Sequence, residues 1–447
     1  MIQNARIQHL NNRNPENRDY ILYWMQASQR VHSNHALEYA KFLANERNKP
    51  LVVYFGLTDR FPEANLRHFM FMLEGLGEVQ KDLHSQNIPF IIRYESPETG
   101  VLDLALRSDV TVTDRGYLRI QKRWRQYVAE RIDCPLIQIE SDVVVPVEAA
   151  MSKEAYSAAV IRPKIHRLLD AFCVPLPEIQ VKHARIDLQM DSLDLSDPAK
   201  ITSRLQVDRN VAPSPQFRGG YEAARQHLIH FIENRLGHYG EKHNHPELAF
   251  QSELSSYLHF GQISPLEVAL AIPSKDPGCA EFLEQLIIRR ELAMNFVHFN
   301  SDYDHPNCLP DWALRTLSAH QKDVRPDVYS RQQLENAATH DPYWNAAQQE
   351  LVKTGKMHGY MRMYWGKKIL EWVSDLNEAY STALYLNNKY NLDGRDPNGF
   401  AGVAWCFGKH DRPWAERAIF GTVRYMNDKG LKRKFDMESY IAKVNAL

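Results

Sequence analysis

Cysteine is scarce: Cys134, Cys173, Cys279, Cys308 and Cys406 are the only five in 447 residues. Their number is odd and no C-x-x-C pair occurs, which argues against a disulfide framework and against a thiolate zinc site. Long apolar runs are missing too. Nothing approaches the ~18 uninterrupted apolar residues of a membrane span, and the polar start MIQNARIQHLNNRNPENRD has no signal-peptide core. An intracellular protein with reduced thiols is expected, in cytoplasm or nucleoid, or in the nucleus of a eukaryote. Charge of one sign is also absent. Lys+Arg 54 against Asp+Glu 55 gives a net charge of -1, so no global basic excess advertises a nucleic-acid partner. The motifs G-x-x-x-x-G-K-[ST] and G-x-S-x-G do not occur. Gly75-Leu76-Gly77 lacks the third glycine of a dinucleotide fingerprint and falls inside a helical pattern. His243 and His245 have no nearby third ligand, so no metal site is expected.

What remains is folded and rich in aromatics. Hydrophobic residues make up 44% and charged residues 24%, which excludes disordered and coiled-coil classes. Phe, Trp and Tyr together reach 11%, more than a core of Leu and Val needs. The length suggests three domains or two large ones. Residues 1–18 read as a loose tail. Strand-length apolar runs follow at Tyr20–Met25, Leu51–Leu57, Phe90–Tyr94, Val110–Thr113 and Leu136–Ile139, with helix-like stretches between them. Alternation of this kind predicts an α/β domain over 19–173, with a Rossmann-like parallel sheet covered by helices. Residues 174–215, rich in Pro, Asp and Ser, read as an interdomain linker. Patterns of period 3.6 then dominate 216–447 and predict a large all-α domain.

Several constellations there can carry chemistry. Trp365 and Trp372 are seven apart, so on a helix they share one face, about 10 Å apart along the axis. Trp344 lies just upstream. Spacing alone leaves open a packed core stripe or an electron relay between a buried cofactor and the surface. Over 353–372 five basic residues, Lys353, Lys356, Arg362, Lys367 and Lys368, face one acid, Glu371. Over 405–434 eight basic residues face three acids, a local +5, with Trp405, Trp414 and Tyr425 interleaved. Cations beside aromatics suit phosphate contact with base stacking, although a solvated charged face has the same composition. The turn at 392–399 is dense in Asp, Gly, Pro and Asn. Glu291 and Asn295, at i and i+4, are either a structural hydrogen-bonding pair or the polar floor of a pocket.

The stretches SSYLHFGQIS (255–264), IIRRELAMNF (287–296), HDPYWNAAQQELVKTGKMHGYMRMYWGKKILEW (340–372), LDGRDPNGFAGVAW (392–405), HDRPW (410–414) and RYM (424–426) closely resemble the class II cyclobutane pyrimidine dimer photolyases of the photolyase–cryptochrome family. The N-terminal half resembles them more loosely. The resemblance implies an antenna domain followed by a helical domain holding FAD. It also implies light-driven repair of UV-damaged DNA by electron transfer from excited, fully reduced flavin to a flipped-out dimer, without net redox change. A signalling flavoprotein of cryptochrome type is the alternative.

By motif position, Tyr239, Ser252, Leu254 and Ser255 are expected to contact FAD phosphates. Arg362 and Asp393 resemble the family's ion pair beside the flavin ring, and Asn387 its neighbouring amide. Glu291 resembles the carboxyl that contacts the dimer, with Asn295, Met363 and Trp405 lining the lesion pocket. Trp365, Trp344 and Trp372 resemble the photoreduction chain, and Arg412, Trp414, Arg424, Lys432 and Arg433 the DNA-facing part. Met294 departs from the acidic residue expected there. A second antenna chromophore, deazaflavin or folate, and a monomeric state are further expectations.

Overall fold

A computed structural model of the chain describes residues 2–183, 186 and 190–447. Six strands build one sheet: β1 (Ile7–His9), β2 (Tyr20–Trp24), β3 (Leu51–Leu57), β4 (Phe90–Tyr94), β5 (Ser108–Asp114) and β6 (Leu136–Ile139). Their order is β1-β6-β5-β2-β3-β4, parallel throughout except for the antiparallel β1–β6 pair. Every residue of β2, β3, β5 and β6 is buried, as expected when helices cover both faces of a sheet. Those helices include α1 (His35–Glu46), α2 (Leu66–Ser85), α3 (Pro97–Ala105) and α4 (Arg119–Arg131). Asn34 starts α1 by accepting hydrogen bonds from the Ala36 and Leu37 amides. The chain moves outward from β2 through β3 to β4, then returns to β5 on the other side of β2. Strand direction therefore leaves a crevice at the C-terminal ends of β2 and β5.

Residues 1–18 are not simply a loose tail. Ile7, Gln8 and His9 pair with Ile139, Gln138 and Ile137, and the Arg6 guanidinium, 2% exposed, donates to the carbonyls of Glu140, Val143 and Val144. A three-residue strand is too short to show alternation, and its pairing partner lies about 130 residues away. The expected linker is also more structured than its composition suggests. A helix at Pro198–Thr202 forms within it, and Leu195, Ile201, Leu205 and Val211 are buried. For residues 184, 185 and 187–189 the linker expectation lies outside the described residues.

Beyond residue 216 the described residues hold helices and no strand. Those that matter here are α5 (Ser255–His259), α6 (Arg290–Phe299), α7 (Pro342–Thr354), α8 (Gly359–Trp372), α9 (Leu376–Tyr390), α10 (Pro397–Cys406) and α11 (Asp428–Lys434). Asp341 caps α7 with Pro342 in its first turn, and Gly355, at φ 84°, ends it in the left-handed conformation. Asp396 caps α10, again followed by proline. The two parts of the molecule are sewn together by buried arginines. Arg67 donates to the carbonyls of Ala212, Leu351, Val352 and Tyr390, and Arg30 bridges Asp142 (2.7 Å) and the Gly261 carbonyl.

Candidate functional site

The turn 251–255 leads into α5 with Glu253 at φ 63°, a left-handed conformation that β-carbon-bearing residues seldom adopt. Ser252 is half-buried, Leu254 buried, and Ser255 exposed although it lies within the helical region. The Tyr239 ring stacks on His243 at 4.7 Å and meets Phe231 and Phe282 edge-on. Burial pushes its hydroxyl up to about 12, so it stays a neutral donor. An open groove runs along the turn, its lining including Gln251, Glu253, Tyr257, Lys356 and His358.

α8 and α10 each carry half-buried residues, Arg362 and Met363 on one and Asn398, Gly402 and Trp405 on the other. The Arg362 Nη2 lies 3.7 Å from Asp393 Oδ1 and 3.4 Å from Asn391 Oδ1, and its buried Nε has no partner. Asn391 donates to Asn387 Oδ1 at 2.7 Å, and Asn387 donates to Asn388. The structure thus brings Arg362, Asp393 and Asn387 into one network. A β-carbon added at Gly359 or Gly402 would meet nothing within 4 Å. Open space beside two glycines, an orphaned guanidinium N–H and free hydroxyls at a helix start suit a ligand with phosphates and a planar polar ring.

Trp344, Trp365 and Trp372 are 0–1% exposed. The rings of Trp344 and Trp365 stack at 6.3 Å with 5° between their planes, and Trp372 meets Trp344 edge-on at 5.5 Å. Trp365 Nε1 donates to Gln348 Oε1 at 2.9 Å, and Trp344 Nε1 to the Trp365 carbonyl at 3.0 Å. Trp372 in turn abuts Tyr329 (5.1 Å) and His340 (5.7 Å), and the His340 side chain is half exposed. The three indoles form one continuous string that begins three residues along α8 from Arg362.

Glu291 and Asn295 share a side of α6, but that side faces backbone and not a cavity. Glu291 Oε1 accepts from the Val144 and Val145 amides (2.6 and 3.1 Å), and Asn295 accepts from the Ala155 amide and donates to the Lys153 carbonyl. At 2% and 0% exposure both side chains are engaged by segment 144–155, which they fasten to α6. Burial raises the Glu291 carboxyl to about 8. Met294 beside them is buried and lines a small cavity with Arg290.

The basic surface also needs redrawing. Lys367 and Lys368 are buried, Lys368 against Glu371 at 2.8 Å, so two of the five cations of 353–372 are not available to a phosphate-binding face. Over 405–434, Lys409 is likewise turned inward to Glu154 and the Cys308 carbonyl. Arg412, Trp414, Lys432 and Arg433 are exposed. Arg424 lies between two indoles, 4.9 Å from the Trp414 ring and 5.6 Å from that of Trp405, linking the exposed Trp414 to the half-buried Trp405. The loop carrying Arg412, Trp414 and Arg424 is held by Ile419, forced to φ 70°, whose amide donates to Asp323.

A second candidate site was not legible residue by residue. At the C-terminal ends of β2 and β3 lies an apolar crevice of about 820 Å³, walled by Met25, Phe55, Phe61, Phe69, Trp124 and Phe260. Asp114, at the end of β5, accepts from the Gln26, Ala27 and Ser28 amides and shapes its floor. Arg395, buried at φ 65°, closes the inner end, donating to the Asn388 carbonyl beside the Asn387 network. Its left-handed backbone has no local sequence signal, although the 392–399 turn does.

Four similarities to known proteins bear on the site. The family model described as DNA photolyase matches residues 21–181. The chain is 52% identical over 451 residues to the deoxyribodipyrimidine photo-lyase of Methanothermobacter thermautotrophicus, covering 100% of this chain and 99% of that one. It is 40% identical to the enzyme of that name from Potorous tridactylus, over 95% of this chain and 81% of the relative. Among solved structures, the photolyase of Sulfolobus tokodaii, described with two FAD molecules, superposes with a TM-score of 0.73 at 15% identity, over 95% of this chain and 89% of that one. Among the described residues no helix is long and apolar enough to cross a membrane.

Proposed function

The chain belongs to the DNA photolyase family, and from that premise we propose that it is a class II enzyme that splits cyclobutane pyrimidine dimers in DNA under light, using FAD. The observation that carries this reading is the indole string. Three buried tryptophans, in ring contact one after the next, start beside the Arg362–Asp393 pair and end against the half-exposed His340. A packed core needs no such ordering, and a hydrolase would not use it.

Bound in its reduced form, FAD supplies light-driven one-electron chemistry. The chain's own residues bind, orient and shield. Tyr239, Ser252, Leu254 and Ser255 would hold the phosphates, with Arg362, Asp393 and Asn387 flanking the ring. Met363 and Trp405 form the rim that receives the dimer, and their neighbours on α8 and α10 keep water out. Arg412, Trp414, Arg424, Lys432 and Arg433 would hold the DNA backbone and fill the gap left when the dimer is extruded. Trp365, Trp344 and Trp372 would return the flavin to its reduced state. The crevice at the β2 and β3 ends would hold a deazaflavin or folate antenna, and the protein would act inside the cell as a monomer.

The test is anaerobic illumination of the reduced protein with oligothymidine containing dimers. Thymine absorbance should recover in the light and not in the dark. No recovery would overturn the proposal, and repair confined to 6-4 photoproducts would reassign its substrate.

A further inference from the structure

Trp365, Trp344, Trp372 and Trp405 stand in electrically opposite surroundings. Trp365 donates its N–H to the neutral Gln348 carbonyl, and the Trp344 amide is bonded to the Asp341 carboxylate at 3.1 Å. Trp372 has the Lys368 ammonium 5.5 Å from its ring, but Glu371 neutralises that charge at 2.8 Å. Trp405 is different. The Lys367 ammonium lies 5.0 Å from its ring and the Arg424 guanidinium 5.6 Å. Lys367 is 0% exposed, donates only to the Cys406 carbonyl at 2.6 Å, and forms no ion pair among the described residues.

We propose that Lys367, assisted by Arg424, withholds Trp405 from electron donation and so reserves that role for the Trp365–Trp344–Trp372 string. The inference rests on the flavin and relay reading above. In photoreduction one electron leaves an indole and enters the light-excited oxidised flavin, and a thiol in solution later refills the indole with one electron. The oxidised ring carries a positive charge. An uncompensated cation close by opposes that state, while a carbonyl or carboxylate favours it. Trp405 lines the rim where the dimer must sit, so leaving it intact protects the stacking surface of the lesion pocket from oxidation. Lysine at this position also makes the gate titratable. Burial lowers Lys367 to about 8, opposed by Asp411 and the neighbouring Cys406 and aided by the positive charge of Arg424.

The test uses the flavin-loaded protein with Trp365→Phe, which removes the first relay member. Photoreduction followed by flavin absorbance, with transient absorption to detect the oxidised indole, should be blocked at pH 6, well below the value at which Lys367 loses its proton. Adding Lys367→Met should restore it, because removing one charge at this distance raises the population of oxidised Trp405 on the order of a hundredfold. Adding Trp405→Phe should abolish it again, and Trp365→Phe with Lys367→Arg should stay blocked. Without any change at Lys367, Trp365→Phe alone should regain photoreduction as the pH rises past about 8, which keeps the test valid if Lys367→Met fails to fold. Absence of rescue both in the double variant and at high pH would overturn the proposal. So would rescue that survives Trp405→Phe. Wild-type photoreduction in Trp365→Phe itself would instead overturn the relay reading.

Discussion

Glu291 offers the sharpest energetic test, because its two carboxyl oxygens have opposite surroundings. Oε1 accepts two backbone amides, whereas buried Oε2 has no partner. Glu291→Ala leaves two buried N–H groups unpaired and opens a small void, which should destabilise the protein by about 3–5 kcal/mol. Glu291→Gln keeps an acceptor oxygen in place and should cost less than about 1.5 kcal/mol. The pH profile separates the two roles of the acid. Burial raises the folded carboxyl to about 8, while the unfolded one titrates near 4.5, so the folded state retains a proton that the unfolded state releases. The acid's stabilising contribution is therefore complete below about pH 4.5 and is lost as pH rises to about 8. Relative to Glu291→Gln, the wild type should lose about 1.4 kcal/mol per pH unit across that window. Urea titrations followed by far-UV circular dichroism at pH 5, 6, 7 and 8 would measure this. Parallel profiles for the two proteins, or a loss under about 1 kcal/mol for Glu291→Ala at pH 5, where the folded acid keeps its proton, would refute the reasoning.

Other outcomes follow from the site. Trp365→Phe should slow photoreduction yet leave repair intact when the flavin is reduced chemically beforehand; equal loss of both would assign that indole to packing alone. Arg424→Ala removes the cation between Trp405 and Trp414, and should weaken binding of dimer-containing duplex by about 1–2 kcal/mol. Lys432→Ala, at an exposed position, should weaken damaged and undamaged DNA alike and reduce the salt slope by about one. Fluorescence anisotropy across a salt series checks both, and an unchanged slope for Lys432→Ala would remove it from the interface.

What the sequence revealed, and what it hid, divides along physical lines. Buried strands announce themselves as apolar runs, so β2 and β3 are legible, and α2 is legible because Leu66, Phe69, Leu73 and Leu76 recur at helical spacing. β1 is not, since its stability resides in pairing with β6 and in the Arg6 hydrogen bonds. The i, i+4 relation of Glu291 and Asn295 correctly placed them on one side of a helix. What that side meets is a tertiary fact, and it proved to be the backbone of 144–155. Lys367 counts as surface charge in any composition, because a lone lysine carries no mark of burial. Only the fold sets it beneath Trp405. The net charge of -1 misled in the same way, as an average over surfaces of opposite sign.

The central claim is a light-driven, redox-neutral bond cleavage. One brief flash on a one-to-one complex of reduced protein and a duplex carrying a single thymine dimer tests it most directly. Restored thymine absorbance with the flavin spectrum unchanged before and after the flash is the predicted result. An intact dimer, or cleavage that leaves the flavin oxidised in equal amount, would contradict it.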